Sequence, residues 1–266
     1  MKREKAYVDS RRQQVLDLLG RNPEIKADEL AELLGVSVVT IRRDLRVLEE
    51  EKQIRRFYGG AAVARKKEDE VDEVTLYRNL IARYAAKLVE AGDTIFINTS
   101  RNALEMINYI QSENVTVITN NGKALNHDKA NGVNIILTGG ELRYPKEAMV
   151  GDFAVRNLQS IFARKAFMGC SGISAKFGMT TEIVNEVNVN QLMIDHAAQE
   201  VYLMADHTKI GHNSSFTSCG IEKIQHLITD ELAPEDELER LRACGVKIHI
   251  VRKSDFWKEK GYNNKC

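Results

Sequence analysis

The sequence predicts an α/β protein in two parts: a small helical head with a two-stranded wing, then a mostly parallel sheet sandwiched between helices (αβα). Three observations carry that expectation. Residues 11–51 hold two short apolar-periodic segments, a glycine, and a third segment opened by a capping serine. After Gly92, short β-type apolar runs alternate with helical stretches, the pattern of a sheet covered on both faces. The charge is divided as well. The 266-residue chain is neutral overall, yet residues 1–67 hold 16 Lys and Arg against 11 Asp and Glu, and the remainder 22 against 27. A basic head on an acidic body predicts that only the head meets a polyanion, and the length suits two domains.

In the head, residues 11–20 read as an amphipathic helix closed by Gly20, and residues 28–34 as a second one ended by Gly35. Ser37 is a good N-cap for a third helix running to about residue 51. Helix, tight glycine-containing turn and capped helix make the helix-turn-helix pattern. Unrolled at about 100° per residue, the third helix puts Val38, Ile41, Leu45 and Leu48 on an inner side. Val39, Arg43 and Arg46 point the opposite way, with Thr40 and Arg42 on the flanks. Such a front suits the major groove, where arginine bonds guanine bidentately and a short apolar side chain touches a thymine methyl. Residues 53–58 read as a strand, Gly59-Gly60 as a hairpin turn and residues 61–63 as the return strand. Arg55 and Arg56 on this wing would reach phosphates, which position a protein on DNA without specifying sequence. The DNA-contacting residues expected are therefore Ser37, Val39, Thr40, Arg42, Arg43, Arg46, Arg55, Arg56 and Tyr58.

The stretch Ser37-Val38-Val39-Thr40-Ile41-Arg42-Arg43-Asp44-Leu45-Arg46-Val47-Leu48-Glu49 resembles the signature of the DeoR family of regulators. So does Ile54-Arg55-Arg56-Phe57-Tyr58-Gly59-Gly60-Ala61. Two departures stand out: Lys52 where the family usually has glycine, and Tyr58 where it usually has histidine.

Residues 1–64 are thus read as the winged helix-turn-helix domain and the highly charged residues 65–75 as a linker. Residues 76–266 are read as an effector-sensing and oligomerisation domain. Apolar periodicity returns at Leu76 in a helix that ends near Ala91-Gly92. Strands are expected at 94–97, 115–118, 133–137, 165–168, 201–204, 226–228 and 246–251, and helices at 103–110, 183–198 and 234–243. Most of these strands run into polar or glycine-rich loops, and ligands of open α/β sheets bind at the carboxyl ends of strands. Five loops should converge there: 98–102, 119–121, 138–140, 169–172 and 206–209. The first also opens a helix, whose N-terminal amides favour phosphate, and Arg101 and Lys209 are candidate cationic partners.

Six body segments, 92–97, 115–120, 136–140, 178–182, 204–209 and 227–230, also resemble the family's effector domain. That resemblance implies a fold similar to ribose-5-phosphate isomerase and a sugar phosphate as effector. The effector-binding residues expected are Thr99, Ser100, Arg101, Asn102, Asn120, Gly139, Gly140, Ser171, Thr180, Glu182, Asp206 and Lys209. Where the family's first loop usually reads Ser-Gly-Thr-Thr or Gly-Ser-Thr, this chain has Thr99-Ser100-Arg101-Asn102. That leaves open a different or more acidic effector, or a pocket without one.

Other chemistry has little support. No Gly-rich nucleotide loop follows a strand, His207 and His212 lack zinc spacing, and Ser171 and Ser174 lack the hydrolase frame. Neither a cofactor nor a metal is expected. The alternative is a sugar-phosphate isomerase with a DNA-binding appendage. Proton shuttling needs a positioned base, and residues 168–172 (Met-Gly-Cys-Ser-Gly) carry no carboxylate, although Glu182 and Glu186 are nearby. No apolar run approaches the roughly 18 residues of a membrane span. The start of the chain is polar and the four cysteines are scattered, so a cytoplasmic protein with free thiols is expected. The expected partners are operator DNA, a phosphorylated metabolite and further copies of the chain, since a dimer meets two half-sites one helical turn apart.

Overall fold

A computed structural model describes residues 2–21, 25–50, 54–57, 60–63, 73–126 and 132–255. The chain divides into two units, Met1–Asp72 and Glu73–Cys266.

The first unit contains helices α1 (Lys2–Arg21), α2 (Ala27–Leu34) and α3 (Val38–Glu50), then strands β1 (Ile54–Phe57) and β2 (Gly60–Val63). Gly35 ends α2 in the left-handed region (φ 62°), a conformation that costs glycine nothing. The Ser37 hydroxyl accepts from the Thr40 N–H at 3.1 Å and so caps α3 as expected. Val15, Leu19, Leu30, Ile41, Leu45, Leu48 and Ile54 meet in one buried core. α1 starts well before the expected residue 11; its first turns carry little of the apolar periodicity by which a helix is recognised in sequence. In the wing, Phe57 pairs with Gly60, so Gly60 belongs to β2 rather than to the turn. Residues 58 and 59, which join the strands, lie outside the described residues.

In the second unit, helix α4 (Glu73–Ala86) begins inside the stretch read as linker. It is followed by β3 (Thr94–Ile97), α5 (Arg101–Met106), β4 (Val115–Thr119), β5 (Val133–Leu137), the hairpin β6 (Glu141–Arg143) and β7 (Ala148–Val150), and α6 (Asp152–Leu158). Then come β8 (Ala163–Gly169), β9 (Gly172–Ser174), β10 (Gly178–Thr181), α7 (Val187–Asp195) and β11 (Ala197–Met204). The chain continues through β12 (Phe216–Cys219), β13 (His226–Asp230), α8 (Glu235–Ala243) and β14 (Lys247–Val251).

Seven strands form one sheet in the order β14-β13-β11-β8-β3-β4-β5, with every pairing parallel. They are the seven expected ones, with some ends shifted. Side chains alternate across the sheet. Ile95, Ile97, Phe167, Tyr202 and Met204 join the core beneath α4 and α5. Their neighbours Phe96, Ala166, Met168, Val201 and Leu203 join the core beneath α6, α7 and α8. Both faces of the central strands are covered, which is why these read as apolar runs, while the edge strands β5 and β14 are partly exposed. The helix expected over 183–198 is a 3₁₀ turn plus α7, and it stops at Asp195. Ala197 pairs with Ala163 on β8, so tertiary pairing overrides the helical preference of alanine. The β6–β7 hairpin, α6 and the small antiparallel sheet β12-β10-β9 were not foreseen.

Candidate functional site

On α3, Ile41, Leu45 and Leu48 are buried, while Val39 is 76% exposed and Arg42, Arg43 and Arg46 are exposed. Arg46 stands 3.9 Å from Glu50, a weak surface pair. Ser37 is exposed and Thr40 half-buried at the start of the helix. The residues singled out on α3 therefore share one solvent face. Arg55 and Arg56 are on β1, opposite Ala62 and Ala61. Tyr58 lies outside the described residues.

A residue that the sequence reading passed over sits behind this face. Asp44 is 2% exposed and accepts from Arg11 Nε at 2.7 Å and from Arg12 Nε at 3.1 Å, one on each oxygen.

In the second unit, a cavity of about 530 Å³ opens beyond the carboxyl ends of β3, β4, β8 and β11. Thr99, Ser100, Arg101, Asn102, Ser171, Glu182, Asp206 and Lys209 line it, as the strand-end rule predicts. Four expected residues do not. Asn120 turns away to donate to the Met149 carbonyl at 3.2 Å, and Asn121 lines the cavity instead. The Thr180 hydroxyl donates to the Gly172 carbonyl at 2.9 Å, and the next residue, Thr181, faces in. Gly139 and Gly140 turn the chain with positive φ (69° and 109°), and Gly140 is also tightly packed. A Cβ on Gly140 would lie 2.6 Å from the Val150 carbonyl oxygen, and Asn157 Nδ2 donates to the Thr138 carbonyl at 2.8 Å.

The lining is held by buried polar clamps. Asn98 Oδ1 accepts from the N–H of Gly169 (3.0 Å) and of Ser100 (3.2 Å), while its Nδ2 donates to the Gly169 carbonyl (2.8 Å). This ties the loop after β3 to the end of β8. Glu186, 3% exposed, accepts from the hydroxyls of Thr99 and Thr181, both at 2.9 Å, and stands 3.5 Å from Lys146 Nζ. Asp206 accepts from Arg78 Nε at 2.8 Å, from the Thr208 N–H at 3.1 Å and from the Thr208 hydroxyl. Burial alone would raise the Asp206 carboxyl, but these partners outweigh it and hold it below the usual carboxylate value.

Five cations line the cavity: Arg78, Arg101, Lys123, Lys146 and Lys209. Arg78 and Lys146 face Asp206 and Glu186. Among the described residues, Arg101, Lys123 and Lys209 have no carboxylate within 4.0 Å; Glu105, four residues after Arg101, accepts from Asn108 instead. The helix expected over 103–110 is α5, opened by Arg101, followed directly by a 3₁₀ turn over Ile107–Tyr109. Arg78, Lys123, Lys146 and Asn190 were missed, and Glu186 was noted only as a nearby acid. They come from a helix face, 3₁₀ turns, a hairpin and α7, where no local signal marks a pocket wall. Among the described residues, no group of three or more His, Cys, Asp or Glu could hold a metal ion, and no helix is long and apolar enough to cross a membrane.

Comparison with known proteins adds the following. The family profile described as DeoR-like helix-turn-helix domain matches residues 11–67, and that described as DeoR C terminal sensor domain matches residues 74–231. The HTH-type transcriptional repressor GlcR of Bacillus subtilis is 31% identical over 257 residues, covering 94% of this chain and 98% of that protein. The putative aga operon transcriptional repressor of Escherichia coli O157:H7 is 28% identical over 254 residues, 92% of this chain and 94% of its own. The lactose phosphotransferase system repressor of Staphylococcus epidermidis is 28% identical over 238 residues, 85% of this chain and 94% of its own. Among solved structures, ribose 5-phosphate isomerase from Plasmodium falciparum matches at 12% identity with a TM-score of 0.35, over 50% of this chain and 51% of that one.

Proposed function

The chain belongs to the DeoR family of transcriptional regulators, with a DNA-binding helix-turn-helix domain and a sensor domain, and on that premise we propose that it represses genes of sugar breakdown under the control of a small phosphorylated metabolite bound in the cavity. The observation that carries this reading is the set of Arg101, Lys123 and Lys209, which line a polar cavity with no carboxylate within 4.0 Å among the described residues. A phosphate supplies the missing negative charge and several acceptor oxygens, and hydrogen bonds between charged groups are the strong ones. The names of the relatives, repressors of the aga operon and of a lactose phosphotransferase system, support sugar metabolism as the regulated process.

In this reading, the exposed arginines of α3 meet base edges and Arg55 and Arg56 meet phosphates. The protein acts in the cytoplasm as a homo-oligomer, because two copies engage two half-sites about one helical turn apart. The test is a thermal-shift series of the full chain against sugar phosphates. A ligand that binds only the folded state raises the melting temperature, so at least one sugar phosphate should do so where its unphosphorylated sugar does not. No shift with any phosphorylated sugar would refute the proposal.

A further inference from the structure

Asp44 has groove-facing Arg43 on one side and core residue Leu45 on the other. It is the one buried charged residue of the recognition helix α3. Its partners, Arg11 and Arg12, are adjacent on α1 and therefore leave that helix in directions about 100° apart. Both nonetheless bend to the same carboxylate, Arg11 to one oxygen and Arg12 to the other. Both guanidinium groups are largely withdrawn from water, with side-chain exposures of 12% and 23%.

From this geometry we infer that Asp44 is a positioning and specificity-determining residue, which fixes the rotation of the recognition helix and keeps two arginines off the DNA backbone. A carboxylate taken out of water is costly unless it is paired and hydrogen-bonded. α3 therefore has one favourable setting about its own axis, the one in which Asp44 meets both guanidiniums. That setting also fixes where Arg42, Arg43 and Arg46 point. Base readout needs such a lock, since binding groups must be held within about 0.5 Å and 10–20° of their working geometry. The second consequence is electrostatic. Two arginines released within a basic head would seek phosphates, which strengthens binding to any sequence and weakens discrimination.

The test uses the full-length protein, a duplex enriched by the wild type from a randomised pool, and a shuffled duplex of the same composition. Asp44→Asn should lower the ratio of enriched to shuffled affinity at least tenfold and raise shuffled-duplex affinity severalfold. It should also steepen the dependence on salt, by about 0.9 in log–log slope for each phosphate gained. Adding Arg11→Gln and Arg12→Gln should abolish the gain on shuffled DNA and leave discrimination low. A purely structural role gives a different result: both affinities fall by one factor and the slope does not steepen. That result overturns the inference. Should Asp44→Asn not fold, Arg12→Gln keeps the bond to Arg11 and decides the matter. A severalfold loss of discrimination supports the inference, and an unchanged ratio overturns it.

Discussion

Gly169→Ala places one methyl group where the cavity floor has no room for it. Gly169 ends β8, and its N–H and C=O are both bonded to the Asn98 side chain. A Cβ built on it would lie 1.9 Å from Ser100 Oγ, 2.2 Å from Ser100 Cβ and 3.6 Å from Ser100 Cα. Rotating the serine moves its hydroxyl but not its Cβ. The loop must therefore retreat by about 1 Å, against the Asn98 clamp that holds it. Forcing a methylene into a packed site costs about 1–3 kcal/mol. For a domain of this size, that should lower the melting temperature by about 2–12 °C. Ser100→Gly removes both colliding atoms, and the next nearest atom, Ser100 Cα, lies at an ordinary 3.6 Å. The double variant should regain most of the loss, so the coupling energy in a double-mutant cycle should nearly equal the penalty of Gly169→Ala. Calorimetry of the four proteins reads this directly. A Gly169→Ala protein that melts with the wild type, or a double variant with no recovery, would refute the reasoning.

In the head, Arg43→Ala should weaken binding to an enriched duplex by about 1–3 kcal/mol and relax its sequence preference. Arg55→Ala should instead reduce affinity for all duplexes and flatten the salt dependence, and equal losses on specific and random DNA would erase that division. In the cavity, Arg101→Ala should weaken a phosphorylated ligand at least tenfold, since a charge-assisted bond is worth roughly 1.5–3 kcal/mol; an unchanged dissociation constant by calorimetric titration would remove Arg101 from the site. Stability should fall on acidification through the ordinary imidazole value of 6.5, because burial, then the neighbouring His226 and Lys247, hold His249 below it. The unfolded chain then binds more protons than the folded one, so stability rises with pH in that window. His249→Asn should flatten the profile of denaturant midpoint against pH, and an unaltered profile would assign the loss elsewhere.

Local signals made the head legible. Gly35 and Ser37 mark the turn by their own backbone and side-chain chemistry, and Ile41, Leu45 and Leu48 repeat at helical spacing. The strands of the large sheet were legible for a different reason: apolar residues on both faces leave short runs rich in Val, Ile, Leu and Phe. The three strands β9, β10 and β12 are short and rich in Gly, Thr and Ser, and neither feature produces such a run. In the site, strand-end chemistry identified the right loops but not the phase within them. Asn120 and Asn121 have the same side chain, as do Thr180 and Thr181, and only the local path of the backbone decides which of each pair faces the cavity. Asp44 was illegible because its partners lie 32 and 33 residues away, and an aspartate between Arg43 and Leu45 reads as a solvated charge.

Two of the carboxylates at the cavity, Glu186 and Asp206, are buried and bonded within its walls. Hydrogen bonds to a carboxylate favour its charged form. Glu186 has one oxygen on the Thr99 hydroxyl and the other on the Thr181 hydroxyl, with Lys146 beside it. Asp206 has one oxygen on Arg78 and the other on Thr208. Glu186 thus ties the loop after β3 to the end of β10, and Asp206 ties the loop after β11 to α4. Glu182 is exposed to water, and the loop from Gly169 to Ser171 contributes no acid. With these two acids tied into the walls, Arg101, Lys123 and Lys209, which have no carboxylate within 4.0 Å among the described residues, are the groups that the anion proposed above would meet.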